Sequence, residues 1–273
     1  MKKSLILLVT LISIAGHAPA QWQQTNGPDC DFVYSIKSKD NYLFASSKQG
    51  IFRSSDGDDN WTLVNNGLKD TFVFSLEVSG NMVVAGTKKK GIFISTDYGD
   101  SWMEANNGLT TNRSVLTLLD ESGTIYAGLN FGLFVTHDYG TIWGSLGLPM
   151  LDIISVKKKD SLIIAAGHAF YLSEDNGITW DIKTNGLPND GFADIAIIDS
   201  TILALTANWG LYKSNDFGES WESDSTFNIN TISTCNKILV YGSHIFIGTF
   251  FHGIYYSSNQ GTSWTNVSDG FPN

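Results

Sequence analysis

The chain has 273 residues, 42% of them hydrophobic, with 27 glycines and 5 prolines, a composition that fits a globular domain and excludes collagen-like and low-complexity chains. Charged residues make up only 16% and the net charge is -10. With two arginines, Arg53 and Arg113, the chain lacks the clustered cations that displace counterions from a phosphate backbone, so nucleic acid is not an expected partner.

Residues 1–20 read as a secretory signal: Lys2 and Lys3, an apolar run over 5–15, then Ala18-Pro19-Ala20 ahead of Gln21. Without the two lysines, 15 basic residues stand against 27 acidic ones and the net charge becomes -12. The apolar run is too short to span a bilayer, no later stretch approaches the needed ~18 apolar residues, and no Cys follows the cleavage site for lipid attachment. The expectation is an exported chain, secreted or periplasmic and not membrane-embedded, with one domain over 21–273.

From there the chain repeats. Trp61, Trp102, Trp143, Trp180, Trp221 and Trp264 are spaced by 41, 41, 37, 41 and 43 residues, and Trp22 lies 39 before the first. A period near 40 marks one supersecondary unit used again and again. Seven before each Trp stand Ser54, Ser95, Thr136, Ser173, Ser214 and Ser257, and five before stand Asp56, Asp97, Asp138, Asp175, Asp216 and Asn259. Three before stand Asp58, Gly99, Gly140, Gly177, Gly218 and Gly261, so the unit reads S/T-x-D-x-G-x-S/T-W. Unit 1 departs from it with Asp58 for Gly and Asn60 for Thr, and unit 6 with Asn259 for Asp.

Nine before each Trp is an aromatic (Phe52, Phe93, Phe134, Tyr171, Tyr212, Tyr255) and eleven before is Gly50, Gly91, Gly132, Ala169, Gly210 or Gly253. The aromatic follows an aliphatic residue or Phe170, a pattern read as a half-buried strand entered through a glycine turn. Apolar runs such as 42–45, 73–76, 82–85, 115–118 and 245–248 lie upstream. Each unit therefore predicts four short strands and no helix. Within the motif, Ser or Thr hydroxyls and Asp carboxylates can bond backbone N–H groups, Gly can take positive φ, and Trp brings a large apolar face. Six copies of one turn argue for a structural staple rather than six catalytic centres.

Ser173-Glu174-Asp175-Asn176-Gly177-Ile178-Thr179-Trp180 resembles a complete Asp-box, the bacterial neuraminidase repeat. Similar boxes occur in sialidases, sortilin-type receptors, xyloglucan-cleaving endoglucanases and the photosystem II assembly-factor family, and the resemblance implies an all-β β-propeller of four-stranded blades. It covers almost all of the chain after residue 20. Six blades are preferred, with a seven-blade plan whose last blade is incomplete as the alternative, because residues 22–27 resemble a lone outer strand such as the one after Trp61. In a six-blade ring Cys30 and Cys235 could meet as a disulfide closing the ring; two buried thiols are the other reading.

In such a blade the loops joining strands two to three and those joining blade to blade share the face opposite the boxes. Twelve before the Trp the column reads Gln49, Lys90, Phe131, His168, Trp209 and His252, flanked by Lys89, Asn130, Asn208, Phe250 and Phe251. Lys90, Phe131, His168, Asn208, Trp209, Phe251 and His252 are the candidate ligand-binding residues, since aromatic faces beside Asn and His stack on sugar rings or hold peptide side chains. Lys88–Lys90 and Lys157–Lys159, the only basic runs, read as solvated turns.

A sialidase would need three arginines and a Tyr paired with a Glu. Arg53 and Arg113 fall short, and Glu77, Glu104 and Glu121 announce no such pair. A different glycosidase needs only two carboxylates across a cleft, for which the loop residues Asp70, Asp152 and Asp190 stand on the right face. The five histidines are scattered and the cysteines do not form a zinc-type pair, so no metal or cofactor is expected. The reading is an exported binding or scaffold propeller for a protein or glycan, with a glycoside hydrolase as the alternative.

Overall fold

The computed structural model describes residues 26–57, 60–109, 113–149, 151–189, 191–206, 208, 210–227 and 235–269. The expected signal, Trp22, Asp58, Asp190 and Trp209 lie outside them. The described residues form six four-stranded antiparallel sheets in chain order and no helix. They are the blades of a six-bladed β-propeller.

Blade 2 shows how the repeat builds a blade. Its inner strand (Val73–Ser79) turns into a second (Met82–Thr87), then a third (Ile92–Ser95), and the Asp97 turn leads to a two-residue outer strand (Met103–Glu104). Each strand pairs only with its neighbour in sequence. Gly91 is required in the second turn: its φ is +78°, and a Cβ there would meet Asn106 Oδ1 at 2.2 Å. The expected half-buried third strand is corrected, since all four residues of Ile92–Ser95 are buried. Blades stack face to face, so their middle strands are covered on both sides.

The repeated turn is held as its residue types predict. In blade 4, Ser173 Oγ donates to Asp175 Oδ1 (2.8 Å) and accepts from the Gly177 N–H (2.7 Å), while Asp175 accepts from the Thr179 N–H (2.9 Å) and Thr179 Oγ1 (2.6 Å). Asp97 and Asp216 have the same partners in Ser101 and Ser220. Asp138 accepts from Thr136 Oγ1 and the Ile142 N–H, and Asp56 from Ser54, with Asn60 serving in place of a hydroxyl residue. In blade 6 the polarity of one bond reverses: Asn259 Nδ2 donates to Ser263 Oγ at 2.9 Å.

These bonds hold Asp56, Asp175 and Asp216 down to about 2, led by the side chains of Asn60, Thr179 and Ser220, and lower Asp97 and Asp138 as well. A carboxyl lowered by folding stabilises fully above its unfolded value of ~3.9 and loses that contribution as pH falls toward the folded value. Thermal unfolding should therefore be flat from pH 7 to about 5 and fall steeply between about 4 and 2. Asp175→Asn, which copies blade 6, should fold and show a shallower acid slope; an unchanged slope would count against the turn as its source.

In blades 2 to 5 the repeated Trp covers not its own blade but the one before. Trp102, Trp143, Trp180 and Trp221 donate Nε1–H to Val64, Ala105, Leu146 and Lys183 carbonyls at 2.8–3.1 Å, at the outer strand of the preceding blade. Trp264 instead reaches the Asp224 carboxylate, which also pairs with Lys213 (2.9 Å).

Inner strands of consecutive blades pack from blade 1 through blade 6. No comparable packing joins blade 6 to blade 1 among the described residues. Blade 6's face at that seam is open: Leu239 is 58% and Tyr241 65% exposed, whereas Leu203 and Leu205, on the matching face of blade 5, are fully buried.

This seam corrects the disulfide expectation. Cys30 and Cys235 are both free and buried, Cys30 beside Ala45 and Phe52 in blade 1, Cys235 beside Ile238 and Phe227 at blade 6. No packed strands bridge their two clusters. Burial pushes the Cys235 thiol up to about 11 and, ahead of Asp31 and Asp29, raises that of Cys30. A second correction concerns Lys157–Lys159, which are not a turn but the end of the inner strand of blade 4 (Ile153–Lys159).

Candidate functional site

The up-and-down order puts the inner hairpins and the box turns on one face, and the two-to-three and blade-to-blade loops on the other. The loop face is built on a repeated clasp. In blade 2, Thr87 Oγ1 donates to the Gly91 carbonyl (2.8 Å) and accepts from the Lys90 N–H (3.1 Å). Asn106 Nδ2 then donates to the Lys90 carbonyl (2.9 Å), while its Oδ1 accepts from the Ile92 N–H (2.8 Å). Blade 6 repeats it with Thr249, His252 and Asn266: Thr249 Oγ1 accepts from the His252 N–H (3.0 Å) and Asn266 donates to the His252 carbonyl (2.8 Å). In blade 1, Ser47 and Asn65 hold Gln49 in the same way. The variable column is thus a set of side chains on rigid turns, which is how a scaffold presents a recognition surface.

Lys90, His168 and Asn208 are exposed on this face, and Phe131 and His252 are half-buried. Phe250 is 58% and Phe251 79% exposed, with ring centroids 6.3 Å apart. Trp209 belongs to the same column but lies outside the described residues. These residues are distributed around the rim, one blade apart, rather than gathered into one pocket.

Blades 1 and 2 add a group that the sequence reading missed. Phe72 packs on Tyr34 (5.4 Å) and Phe74 (4.7 Å), and the Lys88 ammonium sits over Phe72 at 4.7 Å. Lys48 lies over Phe32 at 5.2 Å and Phe72 at 5.8 Å, and Phe32 is 57% exposed. The signal was present as aromatic pairs two apart, Phe32-x-Tyr34 and Phe72-x-Phe74, at matching positions of successive units. Lys88 and Lys48 thus belong to a cation–aromatic patch at a site that also exposes apolar surface.

The carboxylates weighed for hydrolysis are differently placed. Asp70 accepts from the Phe72 N–H (3.2 Å) and the Lys89 N–H (2.7 Å), so both oxygens hold the loop. Asp152 is exposed, and Asp190 lies outside the described residues. Arg53 is tied to Asp100 (2.8 Å) and to the Tyr98 carbonyl (2.7 Å) on the box face. Glu77 pairs with Lys37 and Glu104 with Lys69, both at 2.8 Å. Among the described residues no group of three His, Cys, Asp or Glu could hold a metal ion, and no helix is long and apolar enough to cross a membrane.

Two clefts of about 480 and 450 Å³ open on the box face instead, between blades 3 and 4 and between blades 4 and 5. None of the rim residues lines either one.

No protein-family model matches this chain, and no curated protein matches it. Solved structures do. The chain is similar to YCF48 bound to D1 peptide, with TM-score 0.73 and 14% identity over 90% of this chain and 84% of that one. It is similar to the extracellular domain of BT4673 from B. thetaiotaomicron (TM-score 0.66, 16% identity, 82% of this chain and 32% of that one). A third likeness is to the GH74 xyloglucanase from Xanthomonas campestris (TM-score 0.64, 15% identity, 84% and 46%). This chain therefore spans about a third of the BT4673 domain and under half of the xyloglucanase. At such identities the likeness shows the fold alone, and by that likeness the chain is a β-propeller.

Proposed function

We propose that this chain is an exported, non-catalytic binding propeller that engages a protein segment or glycan through its loop face. In this reading residues 1–20 direct export, the six stapled turns are Asp-boxes, and 21–273 form one domain. The observation that carries the reading is the pair Phe250 and Phe251, 58% and 79% exposed on a rigidly clasped turn. Large apolar side chains held out in water at a loop rim, with His, Asn and Lys at the same level, make the anatomy of a recognition surface. The Lys48, Lys88 and Phe72 patch extends it across blades 1 and 2. YCF48, similar in fold, has a structure bound to D1 peptide, which supports a peptide-like ligand here. Among the described residues no arrangement of carboxylates favours the glycosidase alternative, since Asp70 is spent on the loop backbone.

The test is an array of peptides and glycans probed with wild type and with a Phe250→Ala/Phe251→Ala double variant, with product analysis on the same ligands. Binding should fall at least tenfold in the variant, about 1.4 kcal/mol, without any product. Cleavage of a bound glycan, or full binding by the variant, would overturn the reading.

A further inference from the structure

The second strand of every blade carries, at its third position, Phe44, Val84, Tyr126, Ile164, Leu203 or Phe246, and the first five of these side chains pack toward the following blade. Five of the six are hydrocarbon. Within this column Tyr126 alone carries a hydroxyl; it is 4% exposed, like Tyr171 in the same cluster, and has no hydrogen-bond partner among the described residues. A buried hydroxyl left unmatched costs roughly 1–3 kcal/mol, and Tyr126, unlike Tyr171, stands where a ligand could match it. Its side chain lines the cleft between blades 3 and 4.

A second departure from the repeat lies at the edge of that cleft. Four before the Trp, the repeated turns of blades 2 and 6 bear a residue that reaches back over the preceding blade. Tyr98 donates to Asp40 at 2.9 Å, and Gln260 to Asp199 at 2.9 Å, closing the seams behind blades 2 and 6 against the hairpin of the blade before. In blade 4 the residue is Asn176 and the hairpin residue opposite is Ser122, and no bond joins the two across the opening they both line. The space, about 480 Å³, falls within the usual range for small-molecule sites.

Its base is apolar, from the Tyr126 ring and Val135, and its walls are polar: Glu121, His137, Lys158, Asp160 and Asn176. Lys158 is turned onto the Asp160 carbonyl, and His137 Nδ1 lies 3.3 Å from Thr124 Oγ1. Acids and bases are both present, so the walls select for no ion, while carboxylate, amide and phenol together match a ligand that donates and accepts at many points around one apolar face. Burial, with Glu121 beside it, raises the Tyr126 phenol and keeps its proton available to donate.

We infer that the cleft between blades 3 and 4 is a binding site for a neutral sugar residue, on the face opposite the rim and independent of it. Saturation-transfer NMR of the full chain with glucose, galactose, mannose and N-acetylglucosamine, followed by titration of whichever binds, tests this. Tyr126→Phe, which removes one oxygen and leaves the packing, should weaken binding about tenfold. Asn176→Tyr restores the residue type of Tyr98 and Tyr139 in the same turn, where φ is 59° and 57°, and should abolish binding while unfolding stays within a few degrees of wild type. Phe250→Ala/Phe251→Ala should leave sugar binding unchanged. Binding by none of the sugars, or wild-type binding by both cleft variants, would overturn the inference.

Discussion

Trp221→Ala is expected to lower stability by roughly 3–5 kcal/mol, the range for truncating a buried Trp. Trp221 is 4% exposed, meets the edge of Phe170 at 4.7 Å, and ties the end of the outer strand of blade 4 through the Lys183 carbonyl. The substitution opens a cavity between two blades and removes the donor for that carbonyl. A domain of this size loses roughly 2–4 °C per kcal/mol, so calorimetry should show a fall of about 6–20 °C. A fall of under about 2 °C would mean that the repeated Trp does not join the blades.

Leu203→Ala is expected to cost about 2–5 kcal/mol, and Leu239→Ala less than about 0.5 kcal/mol. Both positions face away from the preceding blade, Leu203 in blade 5 and Leu239 in blade 6. Leu203 is fully buried where blade 5 meets blade 6, while Leu239 is 58% exposed because nothing comparable packs on its side of blade 6. Denaturant unfolding of the two variants compares a closed seam with the open one. Equal costs would show that the seam between blades 6 and 1 is closed by packing in solution.

Much of this molecule could be read without coordinates wherever the physics is local. The bonding of the repeated turn depends on residues a few positions apart and the four-strand unit on hairpins between neighbours in sequence, and both recur six times. Asn259 kept the turn's acceptor and lost its charge, as its residue type demands. Misreadings arose where the partner lies in another blade. The repeat shows that Trp102 brings a large apolar face but not that it bonds Val64, 38 residues earlier in the preceding blade. Lys157–Lys159 looked like a solvated run, but Lys159 reaches the Asp199 carbonyl from the end of a strand.

The candidate site divides in the same way. Lys90 and His252 could be picked out because their column varies while the Gly, aromatic and Trp columns of the repeat hardly do, and both stand on the loop face held by the same Thr and Asn clasp. Tyr126 gave no such sign: in a linear sequence it is one more aromatic in an apolar run, and only packing shows that its hydroxyl is buried without a partner.

Period, residue type and turn chemistry by themselves determined the blade and its number of strands, because hydrogen bonding within a hairpin is settled by neighbours in the chain, whereas the count of six rests on the structure. Which faces meet, whether the ring shuts, where Cys30 and Cys235 come to rest and where a cleft opens were decided only by the tertiary structure. Those features depend on how each blade rotates onto the next, a sum of small packing differences at five seams that no single repeat records.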